Sequence, residues 1–242
     1  MIGIEKESAR GLMAFWANIP PEQEKAFLEW HNTEHIPERV AVPGNKLGRR
    51  NRVASDTDRF LMSYDTQCAD VLTSKPYLEA LNAPTPRTRQ ALTWFRAPLR
   101  NLYSLEASSG DAGPTAAPVI ATLRIDAAEA KASTQSTSLN PAELATAAHA
   151  TTGSDLIRLA IYRVDPAGAG VSTGERAIHG AAAEEAGTLI WIETTDLGLL
   201  EEPKKGAQFE QALKHHIAAS IGDRPVHFEF AWLDFVDLPR GR

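Results

Sequence analysis

The same order of secondary-structure elements is predicted twice along this chain, and that repetition constrains the fold more than any other feature. Hydrophobic periodicity predicts strand, helix, strand, strand, helix and strand between residues 11 and 106. The second half shows the same order with a weaker signal between residues 119 and 236. Two consecutive β-α-β-β-α-β units predict an α+β protein built from two tandem ferredoxin-like repeats.

Residues 107–117 separate the two predicted repeats. This segment is small, polar and rich in Gly and Pro, which is typical of a linker. We therefore expect one repeat over residues 1–106 and a second, degenerate repeat over residues 118–242. Each part has a length suited to a small domain.

Each repeat by itself would leave half of its sheet uncovered. In a ferredoxin-like unit both helices pack on one face of a four-stranded sheet, so the other face needs a second sheet against it. The expected result is an α+β barrel with a cavity between the two sheets. The covering sheet could belong to the sister repeat or to another copy of the chain in a homodimer, and the sequence leaves both open.

Composition excludes several classes of protein. The net charge of −6 argues against nucleic acid as a partner, because nucleic-acid-binding domains usually carry a basic surface. No apolar run approaches the roughly 20 residues of a membrane-spanning helix, so no membrane partner is expected. A single cysteine, Cys68, excludes a disulfide framework. With no apolar signal segment near Met1, the expected location is the cytoplasm.

The densest cluster of polar residues lies at residues 30–39, at the end of the first predicted helix. His31 and His35 are four residues apart and so share one helix face. With Glu34 they form H-x-x-E-H, the inverted zinc-protease pattern. Pro37 would disrupt the helix that must hold such ligands rigidly, so we expect no metal.

The two histidines have other interpretations. Both could simply interact favourably with the carboxyl end of the helix dipole. His35, beside the exit that Pro37 forces, could instead reach a cavity and act as a general acid or base, with His31 as its catalytic neighbour.

Arginines on the following strand could bind an anionic group. Strand alternation places Arg50 and Arg52 on one face and Arg49 and Asn51 on the other. Arginines that point inward would bind a carboxylate or phosphate. Arginines that point outward would only be solvent-exposed side chains on an edge strand. Since an unpaired buried arginine is costly, an inward Arg50 should pair with Glu34, with Glu38 or with a bound anion.

The other candidate site residues are Trp16, Asn18 and Tyr64 on predicted strands, and Arg39 at the end of the first helix. Trp16 and Tyr64 combine an aromatic ring with a polar group. Most such side chains belong to a core, but together they suit a pocket for a flat organic molecule. We expect this pocket in the first repeat, between the open face of its sheet and the end of the first helix. The predicted site consists of His31, His35, Arg39, Arg50, Arg52, Trp16, Asn18 and Tyr64.

Several short segments of the first half resemble the dimeric α/β-barrel superfamily, in particular its EthD-like branch with His-x-Pro at the end of the first helix. They cover residues 30–39, 42–44, 49–50, 61–65, 74–77 and 85–86. The resemblance extends over residues 10–104, whereas the second half matches only in element order.

The resemblance implies a small-molecule enzyme that needs no cofactor, such as a monooxygenase, lyase or isomerase. His35 would carry out acid–base chemistry on an aromatic or polyketide-like substrate, which could be anionic. A non-catalytic or stress-associated barrel that only binds a small molecule is the alternative. Haem binding, found in related tandem enzymes, is the third, although no axial histidine is evident in the second half.

Overall fold

The computed structural model describes residues 10–109, 113–126, 139–166, 171–184 and 187–239. The eight strands are β1 Gly11–Asn18, β2 Asn45–Val53, β3 Arg59–Thr66, β4 Arg96–Ser109, β5 Val119–Asp126, β6 Leu156–Val164, β7 Gly187–Thr194 and β8 Val226–Asp237. The α-helices are α1 Pro21–Trp30, α2 Ile36–Val40, α3 Lys75–Asn82, α4 Pro86–Leu92, α5 Pro141–Thr152, α6 Gly174–His179, α7 Gly198–Glu201 and α8 Pro203–Ile221. None of the helices in these ranges is long and apolar enough to cross a membrane.

The strands form one closed antiparallel barrel, so the predicted α+β barrel is confirmed. Around the barrel the order is β1-β3-β2-β8-β5-β7-β6-β4, and β4 pairs again with β1. The first-half strands meet the second-half strands at two seams, β2 with β8 and β4 with β6. The barrel therefore closes within a single chain, which the sequence had left open.

The lumen of the barrel is packed with side chains, where we had expected a cavity between two sheets. Alternate residues of each strand point inward, among them Trp16, Tyr103 and Trp191. One end of the lumen holds buried ion pairs in which Arg49 contacts both Asp65 and Glu193. An eight-stranded barrel is just wide enough for its own side chains to fill it, which explains the difference.

The opposite, outward faces of the strands are covered by helices in two clusters. In the first half, Met13, Phe15, Met62 and Tyr64 pack against the helices between β1 and β4. In the second half, apolar residues of β5, β6 and β7 pack against α5 and α8. The functional candidates of the first half are thus divided between the lumen and the helix-covered face.

Strand β4 continues into the segment predicted to be a linker. It runs to Ser109, and Ser108 and Ser109 pair with Ala160 and Leu159 of β6. The start of the linker therefore differs from the prediction, because these residues complete a seam of the barrel. Residues 110–112 lie outside the described part of the chain, and the division into two repeats stays a prediction.

The first helix changes its geometry at the predicted polar cluster. After α1 the backbone forms a π-helical turn over His31–His35, in which the Ile36 N–H donates to the carbonyl of His31, and α2 follows. Pro37 has no N–H to donate to the carbonyl four residues earlier, which makes an ordinary α-helical register unavailable at this point. The chain nevertheless remains helical through Val40, so Pro37 reshapes the helix instead of ending it.

Candidate functional site

A small cavity lies between the helix-covered face of the first-half sheet and the helices above it. Its volume is about 30 Å³, enough for one or two water molecules. The sheet contributes Met13, Phe15, Met62 and Tyr64, and the helices contribute His31, His35 and Arg39. The cavity is therefore on the opposite face of the sheet from the open face where we had expected it.

The π-helical turn brings two histidines to this cavity. The rings of His31 and His35 stack with centroids 5.5 Å apart, and Trp30 lies 4.5 Å from the His35 ring. Trp30 is itself held by a hydrogen bond from its Nε1 to Thr88 of α4. π-Helical turns occur frequently at functional sites, and here the turn presents both imidazoles to one space.

His31 is held by Arg50 in a definite protonation state. Arg50 Nη1 lies 3.1 Å from His31 Nδ1. Because a guanidinium can only donate, Nδ1 must accept and the proton of a neutral imidazole resides on Nε2. Burial and the neighbouring Arg50 and Arg39 hold the pKa of His31 well below its usual value, so the ring is neutral at pH 7.

His35 is also neutral but lacks a comparable anchor on Nδ1. Burial, together with the charge of Arg39, lowers the pKa of His35 well below its usual value. Its Nδ1 is buried without a hydrogen-bond partner. His35 therefore presents a ring nitrogen that is available for proton transfer.

A buried ion pair links the two halves of the chain at the cavity. Arg39 of α2 and Glu175 of α6 form a salt bridge, with 2% and 4% of their surfaces exposed. Burial raises the pKa of Glu175 to about 7, against the opposing effect of Arg39. Glu175 is therefore a titratable group near neutrality inside the site.

Two further groups line the same space. Arg100 of β4 donates to the hydroxyl of Tyr77 over 3.0 Å. His179 of α6 accepts from the backbone N–H of Ala181, and burial lowers its pKa to about 4. Helix α6 thus contributes both a carboxylate and an imidazole to a cavity formed mostly by the first half.

Some of the buried polar atoms that lack a hydrogen-bond partner in the described part of the chain lie at this cavity. Four of them belong to its lining residues: His31 Nε2, His35 Nδ1, Arg39 Nη1 and Tyr64 Oη. Buried polar atoms are normally paired, and an unpaired one is costly. A polar ligand or ordered water in the cavity would give these four atoms a partner.

The structure brings only part of the predicted site together. His31, His35, Arg39 and Tyr64 line the cavity, and Arg50 contacts it through His31. Trp16 instead points into the lumen, because it and Tyr64 occupy opposite faces of neighbouring strands.

Asn18 and Arg52 lie away from the cavity lining. Asn18 bonds Asp56 and Arg59, and Arg52 bonds Glu24 and the carbonyl of Thr57. Both are held in interactions among first-half residues.

Arg50 pairs internally, but with a residue that we had not expected. Its Nε donates to Asp234 of β8 over 2.7 Å, and its Nη1 also reaches Asn32. The predicted partners Glu34 and Glu38 are not its ion-pair partners, because the β2–β8 seam places Asp234 nearer. A direct role for Arg50 as an anion clamp is thereby weakened.

The H-x-x-E-H segment is not arranged as a zinc-protease centre. Glu34 accepts hydrogen bonds from Thr85 and Thr88, and so binds α4 while the histidines face the cavity. Within the described ranges, no group of three or more His, Cys, Asp or Glu side chains is placed to hold a metal ion.

Sequence reasoning missed Glu175 and His179. Both lie in the Gly- and Ala-rich insertion between β6 and β7, where an isolated histidine gave no signal of function. The one available indication was the short helical pattern after Thr173, whose side chain caps α6. Glu175 and His179 line a cavity of the first half because α6 packs against the helices of that half.

Comparison with known proteins identifies the fold. No family model and no curated protein matches the sequence. Among solved structures, an anthrone oxidase-like protein matches with TM-score 0.53 and 6% identity over 96% of this chain and 94% of its own. A proposed monooxygenase from Fusobacterium nucleatum subsp. nucleatum matches with TM-score 0.53 and 7% identity, covering 97% of each chain.

A third structure gives the same result. A proposed chlorite dismutase matches with TM-score 0.52 and 10% identity over 94% of this chain and 96% of its own. At such low identity the likeness concerns the fold alone. The chain therefore has the fold of dimeric α/β-barrel proteins, closed here within one polypeptide.

Proposed function

We propose that this protein is a small-molecule enzyme that uses His35 as an acid–base group and needs no cofactor. The observation that carries the proposal is the neutral His35 imidazole, whose buried Nδ1 has no partner and which lines a cavity with three other unpaired polar atoms. An unpartnered base at a cavity, with its pKa shifted by burial, is typical of an active site. The anthrone oxidase-like and monooxygenase descriptions of structural neighbours agree with this assignment.

We further propose that the chain is a tandem member of the superfamily, of the EthD-like type, acting in the cytoplasm. The strand order β4-β1-β3-β2 in the first half recurs as β8-β5-β7-β6 in the second. Each half thus has the order of a ferredoxin-like unit. The His-x-Pro segment is present only in the first half, which supports a single site per chain.

His35 would take part in the reaction by accepting a proton at Nδ1. At neutral pH the imidazole is unprotonated, because its pKa is lowered. In the buried site an imidazolium is unfavourable by itself, but negative charge that develops on the substrate at the same moment would compensate it. The base would therefore act only when the substrate is in place.

The cavity limits the size and character of the substrate. Its volume of about 30 Å³ accommodates the polar end of a molecule, while a ring requires the lining to move. Met13 and Met62 are flexible side chains that can repack around a ligand. Phe15, Leu81 and Phe95 supply apolar surface, so a compact aromatic or polyketide-like substrate fits this lining.

The test is proton exchange on a defined probe. Acetophenone in D₂O should exchange its α-hydrogens faster with the protein than with buffer alone, as measured by mass spectrometry. His35→Ala should lower this rate by roughly 100-fold or more, since a positioned base contributes at least that much. Replacement of His149, an exposed histidine on α5, by Ala should leave the rate unchanged.

No exchange above buffer, or the same rate in the His35→Ala protein, would contradict the enzyme proposal. The second candidate function, a barrel that only binds a small molecule, is favoured by the internal Arg39–Glu175 pair, because Glu175 is engaged there and not free for chemistry. Binding of a probe without turnover would support that alternative.

Haem binding, the third alternative, does not fit the residues present. The two cavity histidines face about 30 Å³, whereas sites for larger ligands usually have about 300–1,000 Å³. To admit a porphyrin, the packed cluster of Phe15, Phe27 and Phe95 on this face would have to be displaced. We derive no step through haem.

A further inference from the structure

We propose that the cavity binds one acceptor oxygen of the substrate, a carbonyl, enolate or phenolate oxygen, through three hydrogen-bond donors. The donors are His31 Nε2–H, Tyr64 Oη–H and Arg39 Nη1–H. In this arrangement His31 is a donor, not a second base, and Arg50 is a positioning residue that acts through it. The inference rests on the proposed function, because it names the substrate class of the same site.

The donor character of His31 follows from its contact with Arg50. Arg50 Nη1 lies 3.1 Å from His31 Nδ1, and a guanidinium donates hydrogen bonds but cannot accept them. A neutral His31 ring therefore carries its hydrogen on Nε2. Nε2 is buried, unpaired and part of a residue that lines the cavity. The Nε2–H therefore has a hydrogen-bond partner only when a ligand or water provides an acceptor.

Arg50 is immobilised well enough to impose this state. Its Nε bonds Asp234 at 2.7 Å and its Nη1 bonds Asn32 at 2.7 Å. Its guanidinium also lies within 6.0 Å of three aromatic ring centroids, those of Phe27, Phe60 and Phe235. With 1% of its surface exposed, Arg50 has no water to replace these partners.

Tyr64 and Arg39 complete the set of donors. Burial raises the pKa of Tyr64, so its hydroxyl stays protonated, and this hydroxyl is unpaired with 1% of the residue exposed. Arg39 uses Nη2 for Glu175 and leaves Nη1 unpaired. The guanidinium is always charged, so Nη1 donates at any working pH.

The balance of donors and acceptors decides the chemistry of the ligand atom. The carboxylate that lines the cavity, Glu175, is already bound by Arg39. An amine or other cation would meet the positive charges of Arg39 and Arg100. One water can accept only two hydrogen bonds, whereas an oxygen that gains negative charge can accept three, so the site favours the latter.

The first test is direct observation of the His31 ring by ¹⁵N NMR at pH 7. The expected spectrum shows a neutral ring with the proton on Nε2 and none on Nδ1. Arg50→Gln, whose amide oxygen can accept a hydrogen bond where the guanidinium cannot, should weaken this preference. A role of Arg50 in stability alone predicts no change of tautomer. A wild-type ring protonated at Nδ1, or a charged ring, would overturn the proposal.

The second test compares three probes of nearly the same shape: phenol, aniline and toluene. Phenol should bind the intact protein at least about tenfold more tightly than the other two, since a site built for hydrogen bonding rejects analogues that lack the acceptor. Tyr64→Phe, which keeps the ring, should lower phenol affinity by about three- to tenfold and leave toluene unaffected. Tyr103→Phe, a change at a lumen tyrosine, is the matched control.

Failure of this inference and failure of the proposed function are distinguishable. Equal binding of the three probes, or no binding of any, would overturn the acceptor site, while His35-dependent exchange on acetophenone would still support an enzyme. Selective phenol binding without any exchange would support the acceptor site and remove the catalytic proposal. In that case the site would be a binding site only.

Discussion

At the residue scale, the candidate site is defined by buried groups whose charge the fold decides. His31 and His35 are neutral, whereas Arg39 keeps its charge beside Glu175, a carboxyl whose pKa burial raises to about 7. Removing one partner of a buried ion pair is strongly destabilising, unless the remaining partner can neutralise itself. Glu175 can take up a proton, but Arg39 cannot lose one.

This difference predicts an asymmetric effect of two substitutions. Glu175→Gln should lower the free energy of unfolding by about 3 kcal/mol or more, because it leaves a buried guanidinium unpaired. Arg39→Met should cost clearly less at pH 8.5, because Glu175 is charged at that pH only with Arg39 beside it and takes up a proton once Arg39 is removed. Urea denaturation at pH 8.5 measures both, with Lys75→Met of the exposed pair Lys75–Glu79 as control. Equal costs would show that Glu175 does not protonate.

A second prediction concerns the dependence of stability on pH. Burial lowers the pKa of His179 to about 4 from its unfolded value of 6.5, so the unfolded chain binds more protons between those pH values. Stability from this group is therefore present above pH 6.5 and is lost as pH falls to 4, by up to about 3 kcal/mol. Glu175, with its raised pKa, contributes in the opposite sense between pH 7 and 4.5.

The His179→Gln protein should therefore lose less stability than the wild type between pH 6.5 and 4.5. Urea midpoints measured at several pH values give the two slopes, and His149→Gln on an exposed face of α5 should not change the slope. Parallel curves for His179→Gln and wild type would mean that this imidazole titrates normally in the folded protein.

At the scale of elements, the position of the site depends on how closely α2 approaches β2. Gly48 of β2 faces Val40 and Ile36 of α2, and also Tyr64 of β3. A Cβ at this position would lie 2.8 Å from Val40 Cγ1 and 3.1 Å from the other two side chains. The absence of a side chain at Gly48 allows α2 to bring Arg39 over the sheet beside Tyr64.

Gly48→Ala should consequently destabilise the protein by about 1–3 kcal/mol, the usual cost of overpacking. It should also weaken phenol binding, because α2 must move away from Tyr64. Gly113→Ala is a suitable control, since the nearest atom to its Cβ would lie 3.8 Å away. Thermal denaturation and phenol titration of both variants check the prediction, and an unchanged Gly48→Ala protein would contradict it.

At the scale of the whole molecule, ion pairs in the lumen join the two halves. Arg49 of β2 contacts Asp65 of β3 and, at 2.8 Å, Glu193 of β7. Glu193 also accepts hydrogen bonds from Trp191 and Thr115. Together with the two strand seams, this network makes the stability of each half dependent on the other.

Unfolding should therefore be a single transition despite the repeated element order. Circular dichroism and hydrogen exchange in both halves should give the same midpoint, as two-state unfolding requires. Arg49→Met leaves the buried Asp65 carboxylate without its ion-pair partner and Glu193 with only the more distant Arg158. It should shift the midpoints of both halves together and cost about 3 kcal/mol or more. Two separate transitions, or a shift confined to the first half, would indicate independent domains.

Much of the fold could be predicted from the sequence because it is encoded locally. Periodicity located all eight strands, with boundaries that differ by a few residues, as for β4, which begins at Arg96 and reaches Ser109. The polar cluster at 30–39 also drew attention to His31 and His35, which line the cavity in the structure. Alternation placed Arg49 and Arg50 on opposite faces of the strand. In the structure Arg49 forms an ion pair in the lumen, and Arg50 contacts His31 on the helix-covered face.

Local patterns could not reveal which residues from distant segments share a space. Nothing near Asp234 in the sequence connects it with Arg50, and nothing near Glu175 connects it with Arg39, yet each pair is an ion pair in the structure. Trp16 and Tyr64 both combine an aromatic ring with a polar group, as pocket residues often do. The pairing register nevertheless places them on opposite faces of the sheet.

The sequence by itself thus determined the class of fold, the order of the strands along the chain and the histidine-bearing helix. These properties depend on side-chain periodicity and on the missing N–H of Pro37, which act within a few residues. Only the tertiary structure decided that the barrel closes within one chain, that its lumen is filled, and that α6 brings Glu175 to Arg39. Those properties depend on strand register and on contacts between residues far apart in sequence, where a shift of one residue would turn every side chain to the other face.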